Sequence, residues 1–197
     1  MTAARIRLGM VGGGQGAFIG EVHRIAARLD NHYELVAGAL SSDASRAAAS
    51  AEDLGIAANR SYANYAEMAK KEATKKDGIE VVAIVTPNHL HFPIAKAFLE
   101  AGIHVICDKP LTSSIEDAES LVSLVEKSQL LFAVTYNYSG YPMVRQAREM
   151  IKNGDLGAIR VVQLEYAQDW LATNIEASGQ KQATWRVDPN RAEPSRA

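Results

Sequence analysis

At residues 12–17 the chain reads Gly12-Gly13-Gly14-Gln15-Gly16-Ala17, directly after the apolar run from Ile6 to Val11. Apolar residues then recur at helical spacing from Phe18 to Leu29, so the stretch predicts a strand, a tight turn and a helix. Gly12, Gly14 and Ala17 fit the G-x-G-x-x-[GA] spacing in that setting. Glycine lets the main chain approach a pyrophosphate, which the free N–H groups at the helix N-terminus would bind. A plain glycine-rich turn is the alternative, and the flanking strand and helix favour the dinucleotide site.

Further apolar runs alternate with helical patterns as far as residue 135. The strand-like runs are Tyr33 to Leu40, Val81 to Val85, His104 to Cys107 and Leu130 to Val134. This alternation predicts an α/β fold, a doubly wound parallel sheet of the Rossmann type, over residues 1–135. A helix from Pro142 to Asn153 and a strand from Ile159 to Tyr166 then predict the start of a second domain over residues 136–197.

Two short polar segments follow strands of the predicted sheet. Thr86-Pro87-Asn88 follows Val85, and Asp108-Lys109-Pro110 follows Cys107. Ligands of an open parallel sheet bind beyond the carboxyl ends of its strands, so we expect both segments to meet the glycine turn in one crevice. Asn88 could instead be a helix N-cap, with His91 in the first helical turn. The position in the crevice favours a cofactor-lining role for Pro87 and Asn88, and the family resemblance described below adds Thr86 and His91.

Lys109 is the candidate reactive residue. The proline that follows it excludes helical geometry at Lys109 and holds the main chain extended. A fixed ammonium group near a nicotinamide can stabilise a developing alkoxide or polarise a carbonyl group, whereas the alternative is a lysine on a solvated turn. The histidines at 89 and 91 have no cysteine or carboxylate partner at metal-ligand spacing, so we assign no metal.

The choice between NAD and NADP is expected at the end of the second strand, which continues Ser41-Ser42-Asp43-Ala44-Ser45-Arg46. An acidic residue there would accept hydrogen bonds from the ribose of NAD. Ser41 stands at that position, and the hydroxyl groups of Ser41 and Ser42 with the Arg46 guanidinium suit the 2′-phosphate of NADP. We therefore expect NADP. Asp43 is the evidence for the NAD alternative, and Ser41 as a simple helix cap is the other alternative.

Composition excludes several classes of protein. The formal net charge is −2, with basic residues dispersed among acidic ones, which argues against a nucleic-acid surface. Cys107 is the single cysteine, so no intrachain disulfide forms. No run approaches the ~20 apolar residues that span a bilayer, and no secretory signal precedes the first strand. We expect a cytoplasmic protein that binds neither nucleic acid nor membrane.

These motifs resemble the Gfo/Idh/MocA oxidoreductases, a family that includes glucose-fructose oxidoreductase and inositol dehydrogenase. The resemblance also covers Gly154-Asp155-Leu156-Gly157 and Trp185-Arg186. It implies a Rossmann domain followed by an α+β substrate domain, and hydride transfer between NAD(P) and a sugar or cyclitol in a homo-oligomer. By position, Lys109 resembles the family lysine that contacts nicotinamide and substrate, with Asp108 beside it. Trp185 and Arg186 look like a pair near the nicotinamide.

Two departures from the family pattern matter. Asp108 stands where glutamate is commoner. The family also places an aspartate and a histidine, the general base, after the Trp-Arg pair, whereas all five histidines here lie at or before His104. We therefore expect a truncated member, with an incomplete second domain, that binds cofactor and turns over poorly. A cofactor-binding module without catalysis, such as a redox sensor or assembly partner, is the alternative.

Overall fold

The structure, a computed structural model, describes residues 4–167, 172–174 and 177. Helices and strands alternate along most of this part of the chain. They are β1 (Ile6–Gly12), α1 (Phe18–Leu29), β2 (Tyr33–Ala39), α2 (Ala44–Asp53), α3 (Tyr65–Ala73), β3 (Val81–Val85), α4 (His91–Glu100), β4 (His104–Cys107), α5 (Ile115–Ser128), β5 (Phe132–Val134) and α6 (Pro142–Lys152).

The predicted doubly wound parallel sheet is confirmed. Within the described residues, the five strands pair in the order β2-β1-β3-β4-β5, and every pair is parallel. The chain leaves β1 toward β2 on one side and later returns to place β3 on the other side. The strand order thus reverses between β1 and β3, and a ligand crevice forms at such a switch point.

Both faces of the sheet are covered by helices, which is why β3 is apolar throughout. Successive side chains of a strand point to opposite faces. Val82 and Ile84 pack in the cluster that includes Phe98 of α4, whereas Ala83 and Val85 pack in the cluster that receives Ile19 of α1. A strand buried on both sides has no solvent-facing position to fill with polar residues.

The face of helix α1 that packs on the protein is not the apolar face that the sequence pattern predicts. Its apolar residues at helical spacing predict a helix, and that prediction is confirmed, but Phe18, Val22, Ile25 and Leu29 are 41–76% exposed. The more buried positions of α1 are Ile19, Gly20, His23, Arg24 and Ala27. Two basic side chains therefore lie on the packed side of α1, where the sequence pattern alone would place apolar ones.

The described residues divide into two units, one up to Thr135 and one that begins at Tyr136. In the second unit, α6 is followed by residues 158–167, which contain neither helix nor strand. The predicted strand from Ile159 to Tyr166 is therefore wrong, because a strand needs a partner for its main-chain hydrogen bonds and no partner segment pairs with it in the described residues. Val161, Val162 and Leu164 are more than 80% exposed. Across both units, the helices of the described residues are too short or too polar to cross a membrane.

A buried carboxylate ties α3 to the loops beside it. The side chain of Glu72 is fully buried and accepts hydrogen bonds from the guanidinium of Arg60, the hydroxyl of Tyr62 and the main-chain N–H of Ile79. A buried charge is tolerated when it is paired and its hydrogen bonds are satisfied. Burial, followed by the hydrogen bond to Glu72, raises the pKa of Tyr62.

The thiol of Cys107 should be nearly inert in the folded protein. Burial, with a smaller contribution from the charge of Asp108, raises the pKa of Cys107 to about 12. The reactive thiolate at pH 8 is then about a thousandfold scarcer in the folded chain than in the unfolded chain. We expect Ellman's reagent to react within seconds in guanidinium chloride and at less than about a thousandth of that rate in native buffer. Because Cys107 is the only cysteine, equal rates would contradict this prediction directly.

Candidate functional site

The three predicted site segments lie at one edge of the sheet. The strand register sets Gly12 opposite Val85, and Cys107 opposite both Ile84 and Val134. The residues that follow β1, β3, β4 and β5 therefore leave the sheet at neighbouring points. The glycine turn and Thr86 follow β1 and β3, the two strands between which the strand order reverses, and Asp108 follows the next strand, β4.

The glycine turn leaves no room for side chains on its inner side. A Cβ on Gly13 would lie 2.9 Å from the Cα of Gly20 and 2.9 Å from Cγ2 of Val85. One on Gly14 would lie 2.8 Å from the carbonyl oxygen of Leu40. Gly13 also has φ +74°, a conformation that L side chains rarely adopt. The turn is thus packed main chain to main chain against α1 and the end of β2.

Three hydrogen bonds from outside the turn fix its main chain, and two of them involve the side chains of Arg24 and Ser50, which the sequence motifs do not include. Gly14 N–H donates to Leu40 O at 3.2 Å, and Gln15 N–H donates to Oγ of Ser50 at 3.0 Å. The guanidinium of Arg24 donates to Gly13 O at 2.7 Å. Ser50 is buried on the packed side of α2, and Arg24 lies on the packed side of α1. In the sequence, neither residue is distinguished from the solvent-exposed polar residues of the same helices.

A cavity of about 370 Å³ lies on the helix side of the turn. Its walls come from the turn itself and from α1 and α2, and its lining includes Gln15, Gly16, Ala17, Glu21 and Asp53. The side-chain amide of Gln15 crosses to Asp53, with an N–O distance of 2.7 Å. Residues of the glycine turn line this cavity, whereas Ser41, Thr86 and Lys109 do not.

The turn between β2 and α2 is organised around Asp43. Its carboxylate caps α2 by accepting from the N–H of Arg46 at 2.8 Å and from the hydroxyl of Ser45 at 2.6 Å. These hydrogen bonds hold the pKa of Asp43 below its usual value. The N–H of Asp43 donates to the hydroxyl of Ser41 at 3.1 Å. Ser42 and Arg46 are exposed in the same turn.

The segment after β3 carries unsatisfied polar groups. Oγ1 of Thr86 and Nδ2 of Asn88 are buried and have no hydrogen-bond partner among the described residues. Pro87 precedes a 3₁₀ turn at Asn88–Leu90. His91 is fully buried, and both of its ring nitrogens face main-chain carbonyl oxygens.

Asp108 and Lys109 differ sharply in their surroundings. The carboxylate of Asp108 accepts from the hydroxyl of Thr135 at 2.9 Å and lies 3.6 Å from Nε2 of His23. Burial alone would raise the pKa of Asp108, but His23 and Thr135 outweigh burial and hold it below the usual value. Lys109 is exposed beside this fixed carboxylate. Trp185 and Arg186 lie outside the described residues.

Comparison with known proteins identifies relatives of this chain. The sequence model of the oxidoreductase family with an NAD-binding Rossmann fold, GFO_IDH_MocA, matches residues 6–136. An oxidoreductase of Bacillus subtilis is 45% identical over 96% of this chain and 49% of its own length. Levoglucosan dehydrogenase of Pseudarthrobacter phenanthrenivorans is 34% identical over 85% of this chain and 42% of its own length.

Solved structures of oxidoreductases also match the fold of this chain. An inositol dehydrogenase homolog from Azotobacter vinelandii, solved with NAD+, superposes with a TM-score of 0.92 and 41% identity. That match covers 98% of this chain and 49% of the homolog. The chain thus spans about half the length of the relatives that it matches.

Proposed function

Since the chain belongs to the Gfo/Idh/MocA oxidoreductase family, with its NAD-binding Rossmann fold, we propose that the whole protein transfers a hydride between NADP and a sugar or cyclitol. The substrate class is inferred from relatives named levoglucosan dehydrogenase and inositol dehydrogenase homolog. The main support for this proposal is that a glycine turn, two unsatisfied polar groups and an exposed lysine all lie at one edge of the sheet.

The residues of the crevice fit a dinucleotide. Side chains are excluded from Gly13 and Gly14 by the packing of the turn, and this close packing holds the N-terminus of α1 beside the end of β1. Ala17 precedes α1 and provides no side-chain cap, which leaves the first N–H groups of α1 available to an anion. The unpaired groups of Thr86 and Asn88 would gain partners from ribose hydroxyls or a carboxamide.

Each part of the site has a proposed role. Residues Gly12 to Ala17 hold the pyrophosphate, and Thr86 to Asn88 with Asp108 line the nicotinamide half. When bound, the nicotinamide accepts or donates the hydride. Lys109 stabilises negative charge on the substrate oxygen, because an ammonium group beside a developing alkoxide lowers its energy. Trp185 and Arg186 are proposed to lie near the nicotinamide. Residues 136–197 are proposed to begin the substrate domain.

The preference for NADP rests on the β2–α2 turn. Oδ1 of Asp43 is already used to cap α2, so this carboxylate is only partly available to accept from a ribose. The guanidinium of Arg46 makes no hydrogen bond or ion pair within the described part of the chain and, with the hydroxyls of Ser41 and Ser42, suits a 2′-phosphate.

Arg46→Ala should weaken NADPH binding by about tenfold to a hundredfold, because a hydrogen bond to a charged group contributes about 1.5–3 kcal/mol. NADH binding should change less than about twofold. The measurement is a fluorescence titration of each cofactor, with Arg28→Ala on the exposed side of α1 as the matched control. An equal loss of NADPH and NADH affinity would contradict the assignment of Arg46. A wild-type preference for NADH would assign the ribose to Asp43.

A further inference from the structure

Hydrogen-bond contacts fix the two neighbours of Lys109 in the chain, Asp108 and Pro110. Asp108 N–H donates to Ile84 O at 2.9 Å, and the Asp108 carboxylate accepts from Thr135. On the other side, the carbonyl oxygen of Pro110 lies 2.7 Å from Nδ1 of His91. Lys109 itself is exposed. The main chain on either side of Lys109 is therefore fixed by these contacts.

His91 connects that segment to the end of β3. Its other ring nitrogen, Nε2, lies 3.0 Å from the carbonyl oxygen of Thr86. Carbonyl oxygens only accept, so the ring donates to one of them when neutral and to both when protonated. One side chain at the start of α4 thus links Thr86, which borders the crevice, to the residue after Lys109.

We propose that His91 is a positioning residue, which fixes Lys109 against the nicotinamide half of the crevice through the carbonyl group of Pro110. This inference rests on the proposed function for the role of Lys109, but the contacts of His91 do not depend on it. A shift of about 1 Å in a reacting group is enough to impair catalysis severely. A buried hydrogen bond to the neighbouring peptide is a direct way to prevent such a shift.

Two conservative variants of His91 each keep one of the two contacts of the ring, with Pro110 or with Thr86, and remove the other. His91→Asn places an amide nitrogen at the same number of bonds from Cβ as Nδ1, and keeps a donor for Pro110. His91→Gln places its amide nitrogen one bond further, as Nε2 is, and keeps a donor for Thr86 only. The proposal predicts that the Asn variant behaves like wild type and that the Gln variant does not. His89→Gln, an exposed neighbour, is the control.

The first readout is hydrogen exchange of the chain without cofactor. His91→Gln should speed exchange in peptides covering residues 108–113 about threefold to tenfold, as expected for one lost hydrogen bond. Peptides of the glycine turn should be unchanged, and His91→Asn should match wild type in both. Exchange that rises over the whole sheet, or equally in the two variants, would overturn the proposal and reduce His91 to a general stabilising residue.

The second readout compares NADPH with 2′,5′-ADP, which lacks the nicotinamide half. His91→Gln should weaken NADPH binding about threefold to tenfold and leave 2′,5′-ADP binding within twofold. An equal loss for both ligands would overturn the proposal. If wild type binds neither ligand, the proposed function fails, and the exchange result still decides whether His91 fixes the segment.

Discussion

Replacing Arg60 with methionine should lower the free energy of unfolding by about 3–5 kcal/mol, the usual cost of breaking a buried ion pair. The variant leaves the carboxylate of Glu72 fully buried and without its cationic partner. Tyr62 and Ile79 would still donate to it, but neutral donors compensate poorly for a buried charge. Urea unfolding followed by circular dichroism measures the loss.

Arg5→Met is the matched control for that experiment. Arg5 also pairs with a carboxylate, that of Glu34, but both side chains are more than 40% exposed. An exposed pair contributes at most about 1 kcal/mol. If the two variants lose the same stability, the Glu72 network is not the stabilising feature described above.

Replacing Gly13 with alanine should weaken NADPH binding by about tenfold to a hundredfold. The added methyl group would meet the Cα of Gly20 and Cγ2 of Val85. To remove this clash, the N-terminus of α1 must move away from the end of β1. Overpacking of this kind costs about 1–3 kcal/mol of free energy. That movement displaces the N–H groups proposed to bind the pyrophosphate. Fluorescence titration with NADPH is the measurement.

Gly55→Ala separates this clash from backbone strain. Gly55 has φ +67°, close to the +74° of Gly13, but nothing lies within 4 Å of the position of its Cβ. Both variants therefore carry the strain of a left-handed alanine, and only the Gly13 variant carries the clash. Unchanged NADPH binding in both would show that the turn does not hold the cofactor.

The sheet could be predicted from the sequence because its evidence is local. A buried strand such as Val81–Val85 is apolar whatever surrounds it, and the glycine turn has a spacing that few other structures require. The alternation of strands and helices implied a parallel sheet with right-handed crossovers, whereas the strand order β2-β1-β3-β4-β5 comes from the structure. The family resemblance predicted the same fold, and the family match over residues 6–136 confirms it.

The supporting contacts could not be predicted because they are not local. His23 and Arg24 lie on the packed side of α1, although an apolar stripe usually marks that side. His23 contacts Asp108 and Arg24 contacts Gly13, and the sequence does not show that these residues lie next to α1. His91 was predicted at the cofactor through the family resemblance, which does not reveal that its ring contacts the carbonyl oxygen of Pro110, 19 residues further along the chain. The strand predicted from Ile159 failed because pairing depends on a distant partner.

Amine labelling of Lys109, quantified by mass spectrometry with and without saturating NADPH, tests whether the nicotinamide lies beside this lysine. NADPH should protect Lys109 severalfold and 2′,5′-ADP should not, while Lys70 and Lys71 on α3 should be labelled equally throughout. If Lys109 is labelled equally in saturating NADPH and in its absence, the nicotinamide does not lie beside it, and the proposed site is contradicted.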